Sequence, residues 1–400
     1  MIQFLILLCF IFTLPLQALS VSEKLTRLTP IIEKAIENKY YSGAQLIVLH
    51  KNKKLYHRNF GYTQYEGEKV KVDDETLFDL ASLTKVVVTL PLVLQLVEKK
   101  HIQLEDPLNK FYPKFRGKFK DQVFIKDILA HYAGFKSYFL LGDPEATYAE
   151  SKTKMLQYFL AHDLDFRPRT RIKYSGFGFM LFGDLIEQFS DKNLDEIAIT
   201  DIFDPLGMKH SFYKPSAEFL PNIAATELDQ THNRGIIQGS VHDPNAYFMH
   251  GIAGNAGLFS TASDISKFAL MILQGGCLDS QTIIPKDLLE RSKQIHAKNI
   301  KTTRGLGWQL RLFGLKNSFG HTGYTGTTLY LDDKKEYAVV FLTNRVHPTR
   351  ETPDFYKHRK KVFRKIFQVF YWPDWLWETL QYFEKKYAEI FLFDKKTSDQ

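Results

Sequence analysis

The chain places a serine and a lysine three residues apart, Ser82 and Lys85, at the start of an apolar run. The run continues over residues 86–97 with Pro91 inside it, so we predict a helix that begins near Ser82 and is irregular near Pro91. Residues three apart share one helix face, so the two side chains can touch. A serine becomes a nucleophile when a neighbour takes its proton, and a lysine can do so where burial favours its neutral amine. The pattern permits a nucleophilic serine, although Ser-x-x-Lys is common by chance and a serine at a helix start is ordinarily a cap.

Two later segments carry side chains that could assist such a serine. Tyr174 follows the basic segment 169–173, so it is either a general base whose phenolate the cations stabilise or a loop tyrosine packed on the core. His321 and Thr322 stand in the glycine-rich segment 319–326. They could bind a substrate carboxylate or polarise Tyr174, and the glycines would let a substrate backbone approach closely. The alternative is a glycine-rich turn with a surface histidine.

The composition indicates a folded chain with one large domain or two smaller ones. The 400 residues are 44% hydrophobic and 14% aromatic, which is enough for a sizeable core, and the 24% of charged residues is ordinary. The net charge of +8 is a mild basic excess that fits contact with an anionic envelope or membrane surface. The sequence contains no zinc finger, recognition module or arginine-rich block, so we expect no nucleic-acid partner.

The first 20 residues predict export. They are apolar and uncharged, and Ala18-Leu19-Ser20 provides the small residues of a signal-peptide cleavage site. We expect a signal peptide over 1–20 and a periplasmic or extracellular protein, although the segment lacks Lys and Arg and could instead remain as an N-terminal anchor. Cys9 lies in this segment, so the mature chain would keep only Cys277 and form no internal disulfide. No Cys/His cluster has zinc spacing, and we expect neither a metal nor a cofactor.

Hydrophobic patterns place strands near both ends of the chain and helices between them. The predicted helices cover 23–38, 127–134, 177–189 and 263–273, and the predicted strands cover 44–50, 55–61, 326–331 and 337–343. Strands at both ends with helices between them predict a mixed α/β fold of the α+β type. Its sheet would be built from the two ends of the chain, and the middle would form an inserted, mainly helical lobe.

The order of the three motifs resembles a known superfamily. Ser82-x-x-Lys85, then Tyr174-Ser, then His321-Thr-Gly is similar to the serine β-lactamases and penicillin-binding proteins. The class C β-lactamase-like branch, which also holds D-Ala-D-Ala carboxypeptidases, esterases and peptidoglycan amidases, is the most similar. The stretches that carry the resemblance further are ILAHYAGF (128–135), YSGFGFMLFGDLIE (174–187), IAATE (223–227), GSVHDPNAYFMHGIAGNAGLFSTA (239–262), RGLGW (304–308) and FGHTGYTGTTLYLDDKKEYAVVFLTNRVHP (319–348).

The resemblance implies a β-lactamase/transpeptidase-like fold, with an antiparallel sheet flanked by helices, and a reaction through an acyl-enzyme. Ser82 would be the acylated nucleophile, Lys85 would help to deprotonate it, and Tyr174 would be the base and then the proton donor to the leaving group. The residues that would bind substrate are His321, Thr322, Gly323 and Tyr324. The backbone N–H groups of Ser82 and Tyr324 would form the oxyanion hole.

Two positions depart from the pattern of the family. Its Tyr-x-Asn becomes Tyr174-Ser175-Gly176, so the amide that contacts substrate and lysine is missing. The lysine of its Lys-Thr-Gly is His321, whose charge at neutral pH depends on the surroundings. Both changes argue against efficient β-lactam hydrolysis, because polar contacts to the substrate are lost.

After Pro348 the chain becomes basic and aromatic, and we predict a helical C-terminal extension over 351–400 beyond a hydrolase domain over 21–350. The clustered cations are Lys357, Arg359, Lys360, Lys361, Arg364 and Lys365. An apolar stripe runs through and beyond them, at Val362, Phe363, Ile366, Phe367 and Phe370. The extension is either the closing helix of the fold, with its stripe packed on the sheet, or a face that makes peripheral contact with a membrane.

We therefore predict an exported serine hydrolase that acts on peptidoglycan fragments, of the D-Ala-D-Ala carboxypeptidase or N-acetylmuramoyl-L-alanine amidase type. An esterase or a weak β-lactamase is the alternative within the same fold. A non-catalytic binder or sensor of the cell envelope is the alternative of another class. The presence of Ser82, Lys85 and Tyr174 together favours an enzyme, because a scaffold does not need them.

Overall fold

The computed structural model of the protein describes residues 19–137, 140, 142, 145–373 and 376. The chain forms two compact units: Ile32–Lys357, and a second unit made of the chain ends, Met1–Ile31 and His358–Gln400. The larger unit contains every residue for which a chemical role is predicted. The signal peptide predicted over 1–20 and the end of the predicted extension, beyond residue 376, lie outside the described residues.

An eight-stranded antiparallel sheet organises the larger unit. The strands of the described chain are β1 Gly43–His50, β2 Lys53–Gly61, β3 Phe78–Asp79, β4 Ser211–Phe212, β5 Leu228–Asp229, β6 Gly235–Ile236, β7 Phe259–Ser260, β8 Cys277–Leu278, β9 Gln281–Thr282, β10 Ala297–Lys298, β11 Thr303–Arg304, β12 Gln309–Leu310, β13 Ser318–Thr322, β14 Thr328–Asp332 and β15 Tyr337–Thr343. The order across the large sheet is β10-β11-β12-β13-β14-β15-β1-β2. β1 therefore pairs with its hairpin partner β2 on one side and with β15, the last strand of the described residues, on the other.

The register confirms that the sheet is built from both ends of the chain. Ala44 pairs with Thr343, and Gly43 on the other side of the strand pairs with Gly61. All the residues of β1 from 43 to 49 are buried, because helices cover it and strands flank it. The predicted hairpins are confirmed, with β1 and β2 at one end and β14 and β15 at the other.

Helices supply the inserted lobe and one face of the sheet. The helices of the described chain are α1 Val21–Leu25, α2 Thr29–Glu37, α3 Leu90–Glu98, α4 Ile125–Leu129, α5 Tyr148–Ala161, α6 Phe177–Glu187, α7 Leu194–Ala198, α8 Pro244–Phe248, α9 Ala262–Leu273, α10 Lys286–Ser292 and α11 Phe355–Tyr371. α9 packs on β1, β14 and β15, while α6 packs against α3, α4 and α7. Residues 62–296, between β2 and β10, thus form the mainly helical insertion that the sequence predicts.

Two details of the sequence-based prediction are wrong. The helix predicted over 127–134 covers only Ile125–Leu129, because His131 adopts a left-handed φ of 56° that ends the helical path. The segment 297–322 contains strands β10 to β13 that were not predicted. Three of these strands are two residues long, too short for a period-2 pattern to be visible, and β13 contains a glycine and polar residues.

The helical stretch that follows Ser82 is irregular, as Pro91 predicts. Ala81–Leu83 is a 3₁₀ turn, Lys85–Thr89 is a π-helical turn and the regular helix α3 begins at Leu90. Pro91 lies in the first turn of α3, where its missing N–H costs no helical hydrogen bond. Within the described chain this stretch, Ala81–Glu98, is long and apolar enough to cross a membrane, but 78% of it is buried inside the protein, so it is a core helix.

The second unit contains the basic helix α11 from His358 onward. The prediction that this segment is helical is confirmed as far as Tyr371. The side chains of Val362, Phe363 and Ile366 are fully buried. The cations Lys360, Lys361 and Arg364 are exposed, so the helix presents charge to solvent and keeps much of its apolar stripe inside.

Candidate active site

A short turn that follows β3 presents Ser82. β3 pairs with β7, and the Leu80 N–H donates to the Leu258 carbonyl at 2.9 Å. The buried Asp79 carboxylate accepts from the Ala81 N–H at 2.8 Å, and Ala81 holds a left-handed φ of 47°. This conformation is costly for a non-glycine residue and persists only where the surroundings impose it. The carboxylate therefore fixes the turn that exposes Ser82.

Asp79 also joins this turn to the loop before α8. Its second oxygen accepts from the His242 N–H at 2.7 Å. Burial raises the pKa of Asp79 above its ordinary value, although both N–H donors oppose that effect. A buried carboxylate with backbone donors on both oxygens is a structural clamp rather than a proton carrier.

Lys85 and Tyr174 both contact the Ser82 hydroxyl. The distance from Ser82 Oγ to Lys85 Nζ is 3.1 Å, and the distance to the Tyr174 hydroxyl is 2.7 Å. Lys85 is buried, and its Nζ also donates to the Asn255 carbonyl at 2.7 Å. Two groups that can accept a proton thus lie within hydrogen-bond reach of one hydroxyl, which is the geometry required to activate a serine.

His321 lies on β13 behind Tyr174 and is buried. The two ring centroids are 6.0 Å apart. Burial, reinforced by the charges of Arg304 and Lys85, holds the pKa of His321 well below its ordinary range, so the imidazole is neutral at pH 7. Its Nδ1 contacts the Thr322 carbonyl at 3.0 Å, so Nδ1 carries the proton and Nε2 carries the lone pair. The histidine that replaces the family's lysine therefore brings no positive charge.

His131 also packs on the Tyr174 ring. Its ring centroid is 4.4 Å from that of Tyr174, and its Nδ1 accepts from the Ser175 N–H at 3.3 Å. Burial, with the charges of Arg304 and Lys85, also holds the pKa of His131 well below its ordinary range. Two neutral imidazoles thus pack on the Tyr174 ring.

The glycine-rich turn after β13 is tied to the backbone that precedes Ser82. The Thr325 hydroxyl donates to the Asp79 carbonyl at 2.7 Å, and the Thr327 hydroxyl donates to the Leu80 carbonyl at 2.9 Å. A Cβ on Gly323 would lie 2.0 Å from Thr327 Oγ1. Glycine is required at position 323 because two loops of the protein meet there. The sequence analysis had instead predicted that the glycines make room for a substrate backbone.

Asn255 lies against Gly176, the glycine at the family's asparagine position. A Cβ on Gly176 would be 3.3 Å from Asn255 Nδ2, so the amide occupies the space beside the missing side chain. The backbone carbonyl of Asn255 holds Lys85, and its Nδ2 contacts Asp243 at 3.3 Å. The structure therefore places an amide in this region from a different part of the chain.

Ser82 opens into a cleft of about 680 Å³. Tyr324 lines it, with its side chain nearly half exposed and its ring 5.6 Å from the ring of His242. The wall beside Tyr324 carries charges that are paired among themselves. Glu227 accepts from Arg350 Nε at 2.6 Å and contacts His242 Nε2 at 2.8 Å. The cleft is thus polar and wide enough for a peptide-sized substrate.

The structure brings together most of the residues that were predicted to form the site. Ser82, Lys85 and Tyr174 are in direct contact, His321 packs behind Tyr174, and Tyr324 lines the cleft. Thr322 ends β13 and is partly exposed. Gly323 lies in the turn beside Leu80.

Sequence reasoning missed Asp79, Asn255 and Arg304 as parts of the site. Arg304 and Asn255 belong to the stretches RGLGW and GNAG, which were noted only as matches to a family pattern. Asp79 could have been found from its position three residues before Ser82. In the described part of the chain, no group of three or more His, Cys, Asp or Glu side chains is placed to hold a metal ion.

Comparison with known proteins shows to which family a chain with this site belongs. The Beta-lactamase family model matches residues 28–362, which is most of the chain. The chain belongs to the Beta-lactamase family. Members of this family are serine hydrolases, so the protein is a serine hydrolase, and the predicted superfamily, fold and enzyme class are confirmed.

Among the sequence relatives, an N-acetylmuramyl-L-alanine amidase of Bacillus subtilis is 29% identical over 364 residues, covering 82% of each chain. A putative D-alanyl-D-alanine carboxypeptidase of Salmonella gallinarum is 31% identical over 375 residues, covering 83% of this chain and 85% of that one.

Solved structures share the fold at lower identity. A class C β-lactamase superposes with a TM-score of 0.68 at 19% identity, covering 87% of this chain and 96% of that one. The octameric penicillin-binding protein homologue of Pyrococcus abyssi superposes with a TM-score of 0.65 at 22% identity, covering 84% of this chain and 80% of that one.

Proposed function

We propose that this serine hydrolase cleaves amide bonds in peptidoglycan-derived peptides through an acyl-enzyme on Ser82. The observation that carries the proposal is the 2.7 Å contact between the Tyr174 hydroxyl and Ser82 Oγ, with Lys85 Nζ at 3.1 Å from the same oxygen. The substrate class is supported by the names of the amidase and carboxypeptidase relatives, and by a cleft whose size and polarity suit a peptide.

In the proposed reaction, Ser82 Oγ attacks the amide carbonyl carbon while its proton passes to the deprotonated Tyr174 oxygen. Lys85 stabilises the developing alkoxide, and the backbone N–H groups of Ser82 and Tyr324 receive the oxyanion. The C–N bond then breaks, and Tyr174 gives its proton to the leaving amine. Water attacks the acyl carbon in the second half, loses a proton to Tyr174, and Ser82 is released with a proton restored to Oγ.

Mass spectrometry of purified muropeptides incubated with the protein tests this proposal. Loss of a terminal alanine would identify a carboxypeptidase, and separation of sugar from stem peptide would identify an amidase. Ser82→Ala should remove either product, while Tyr174→Phe keeps the ring and should slow the reaction by about 100-fold or more. Turnover retained by Ser82→Ala would contradict the mechanism.

A fluorophosphonate probe separates a failed substrate assignment from a failed mechanism. Covalent labelling of Ser82 without any change in muropeptides would direct attention to esters and β-lactams, the alternatives within the fold. Absence of labelling, together with muropeptide binding, would favour a non-catalytic binder.

We also propose that the protein is exported and touches an anionic membrane surface through α11. The apolar, uncharged segment 1–20 supports export. The exposed cations Lys360, Lys361 and Arg364 support the contact, and the burial of the neighbouring apolar stripe makes it electrostatic rather than inserted. Co-sedimentation with phosphatidylglycerol vesicles should therefore fall at high salt and in a K360E/K361E variant. Binding that is indifferent to both changes would contradict this contact.

A further inference from the structure

Arg304 is a partly buried cation beside the site with unused hydrogen-bond donors. It ends β11, where its backbone pairs with Gln309 of β12 and Ala297 of β10. Its Nε and Nη1 atoms are buried and have no hydrogen-bond acceptor within the described residues. Unpaired buried donors of a charged group are costly, so such a side chain is retained where its charge serves another group.

The group that its guanidinium faces is the Tyr174 ring. Arg304 Cζ lies 5.6 Å from the ring centroid, and Lys85 Nζ lies 5.2 Å from it. The other titratable side chains packed on the ring are His131 at 4.4 Å and His321 at 6.0 Å between centroids. Both imidazoles are neutral, so Lys85 and Arg304 are the positive charges that face Tyr174 in the described structure.

These two cations differ in what they contact. Lys85 Nζ contacts Ser82 Oγ, so in the proposed reaction its charge stabilises the developing alkoxide. Burial lowers the pKa of Arg304, but a guanidinium remains protonated throughout the working range. Arg304 therefore offers a constant charge behind the tyrosine, while the neutral His321 offers none.

We propose that Arg304 is a positioning residue that stabilises the phenolate of Tyr174 and so replaces the charge lost where His321 stands in the family's lysine position. This rests on the function proposed above, in which Tyr174 accepts the Ser82 proton. Arg304 transfers no proton and contacts no reacting atom. Its positive charge favours the deprotonated form of Tyr174, which must be present before acylation begins.

The contact that Arg304 makes at the site is with the Tyr174 ring, whose centroid lies 5.6 Å from Cζ. Its charge reaches the reaction through the Tyr174 ring.

The rate of Ser82 acylation as a function of pH tests this inference, with p-nitrophenyl acetate and a fluorophosphonate probe as substrates because neither carries a carboxylate. For Arg304→Met we expect acylation at neutral pH to fall by about 10- to 100-fold. The acid limb of the pH–rate profile should move up by about one pH unit, since a cation near the base is lost. At alkaline pH the rates of variant and wild type should converge. Arg304→Lys should recover much of the neutral rate.

Lys173→Met is the matched control, because this neighbouring cation pairs with Asp165 rather than facing the ring. It should leave the profile unchanged, and circular dichroism checks that each variant is folded. A rate that falls by the same factor at every pH in Arg304→Met would show a structural role and overturn the inference. An unchanged ester rate with a raised KM for muropeptides alone would overturn it in favour of a carboxylate subsite. Failure of the wild type to label at Ser82 would instead reject the proposed function itself, and the inference with it.

Discussion

Glu227 should stabilise the fold in a manner that depends on pH, and Glu227→Gln tests this. The carboxylate is 8% exposed and lies in the cleft wall. Burial alone would raise its pKa, but hydrogen bonds and charges from His242 and Arg350 outweigh burial and lower it to about 2 from 4.5. Replacing the carboxylate with a neutral amide of the same shape removes the charge and keeps the packing.

The size of the effect follows from this shift. A depression from 4.5 to about 2 corresponds to about 3 kcal/mol of preferential stabilisation of the charged form. Arg350, however, keeps 52% of its side chain exposed, so solvent screens the pair. We therefore expect Glu227→Gln to lower the free energy of unfolding by about 1–2 kcal/mol at pH 7.

The sign of the pH dependence is fixed because the folded pKa lies below the unfolded one. The stabilisation by Glu227 is complete above about pH 4.5 and disappears as the pH falls toward 2. Urea unfolding of wild type and variant at pH 7, 5 and 3 should thus show a difference that is constant between the first two values and smaller at the third.

Glu37→Gln provides the control, since Glu37 and its partner Lys34 are both mainly exposed. It should change the free energy of unfolding by less than about 0.5 kcal/mol at each pH. If the difference between wild type and Glu227→Gln stayed the same from pH 7 to pH 3, or grew at pH 3, the assignment of this charge would be refuted.

Two further substitutions test the packing around the nucleophile. Gly323→Ala would push a Cβ against Thr327 Oγ1 and the Leu80 carbonyl, so we expect a loss of about 1–3 kcal/mol in urea unfolding together with slower Ser82 labelling. Gly314→Ala adds a Cβ in open space at a φ of +87°, so it strains the backbone without a clash between loops and should leave labelling unchanged. Equal labelling of both variants would contradict the contact proposed between Gly323 and the turn before Ser82. Gly176→Asn should be destabilising in the wild type, where the Asn255 amide is in the way, and tolerated in Asn255→Ala. Additive effects in that double-mutant cycle would show that the two positions do not share one space.

The sequence predicts the parts of the fold that repeat a local pattern. β1 and β15 are β-branched, apolar runs bounded by turns, so both were found, and their positions at opposite ends of the chain predicted the sheet. The irregularity near Pro91 was found because proline donates no backbone hydrogen bond, so a helical run that contains it is interrupted or begins anew there. The helix that stops at Leu129 was not, because the left-handed φ of His131 depends on packing around the site.

The candidate site likewise contains residues that the local sequence identifies and residues that it does not. Ser82 and Lys85 are neighbours in sequence, so helix geometry alone brings them together. Tyr174 and His321 could be assigned only through the order of motifs, since nothing local indicates that they face the same serine. Arg304 and Asn255 were not predicted, because they contact Tyr174 and Lys85, which are more than a hundred positions away. The spacing of residues along the chain carries no information about such contacts.

The pairing of β1 with the last strand of the sheet affects when the enzyme can become active during synthesis. Ala44 meets Thr343 across a loop of roughly 300 residues, and closing so long a loop is slow and comes late in folding. The hydroxyls of Thr325 and Thr327, which tie the far wall of the site to the turn before Ser82, belong to the last fifth of the chain. A growing polypeptide therefore carries its nucleophile for most of its synthesis without the wall that would receive an oxyanion. Hydrolytic competence should appear only after the segment up to Thr343 has been synthesised and has paired with β1.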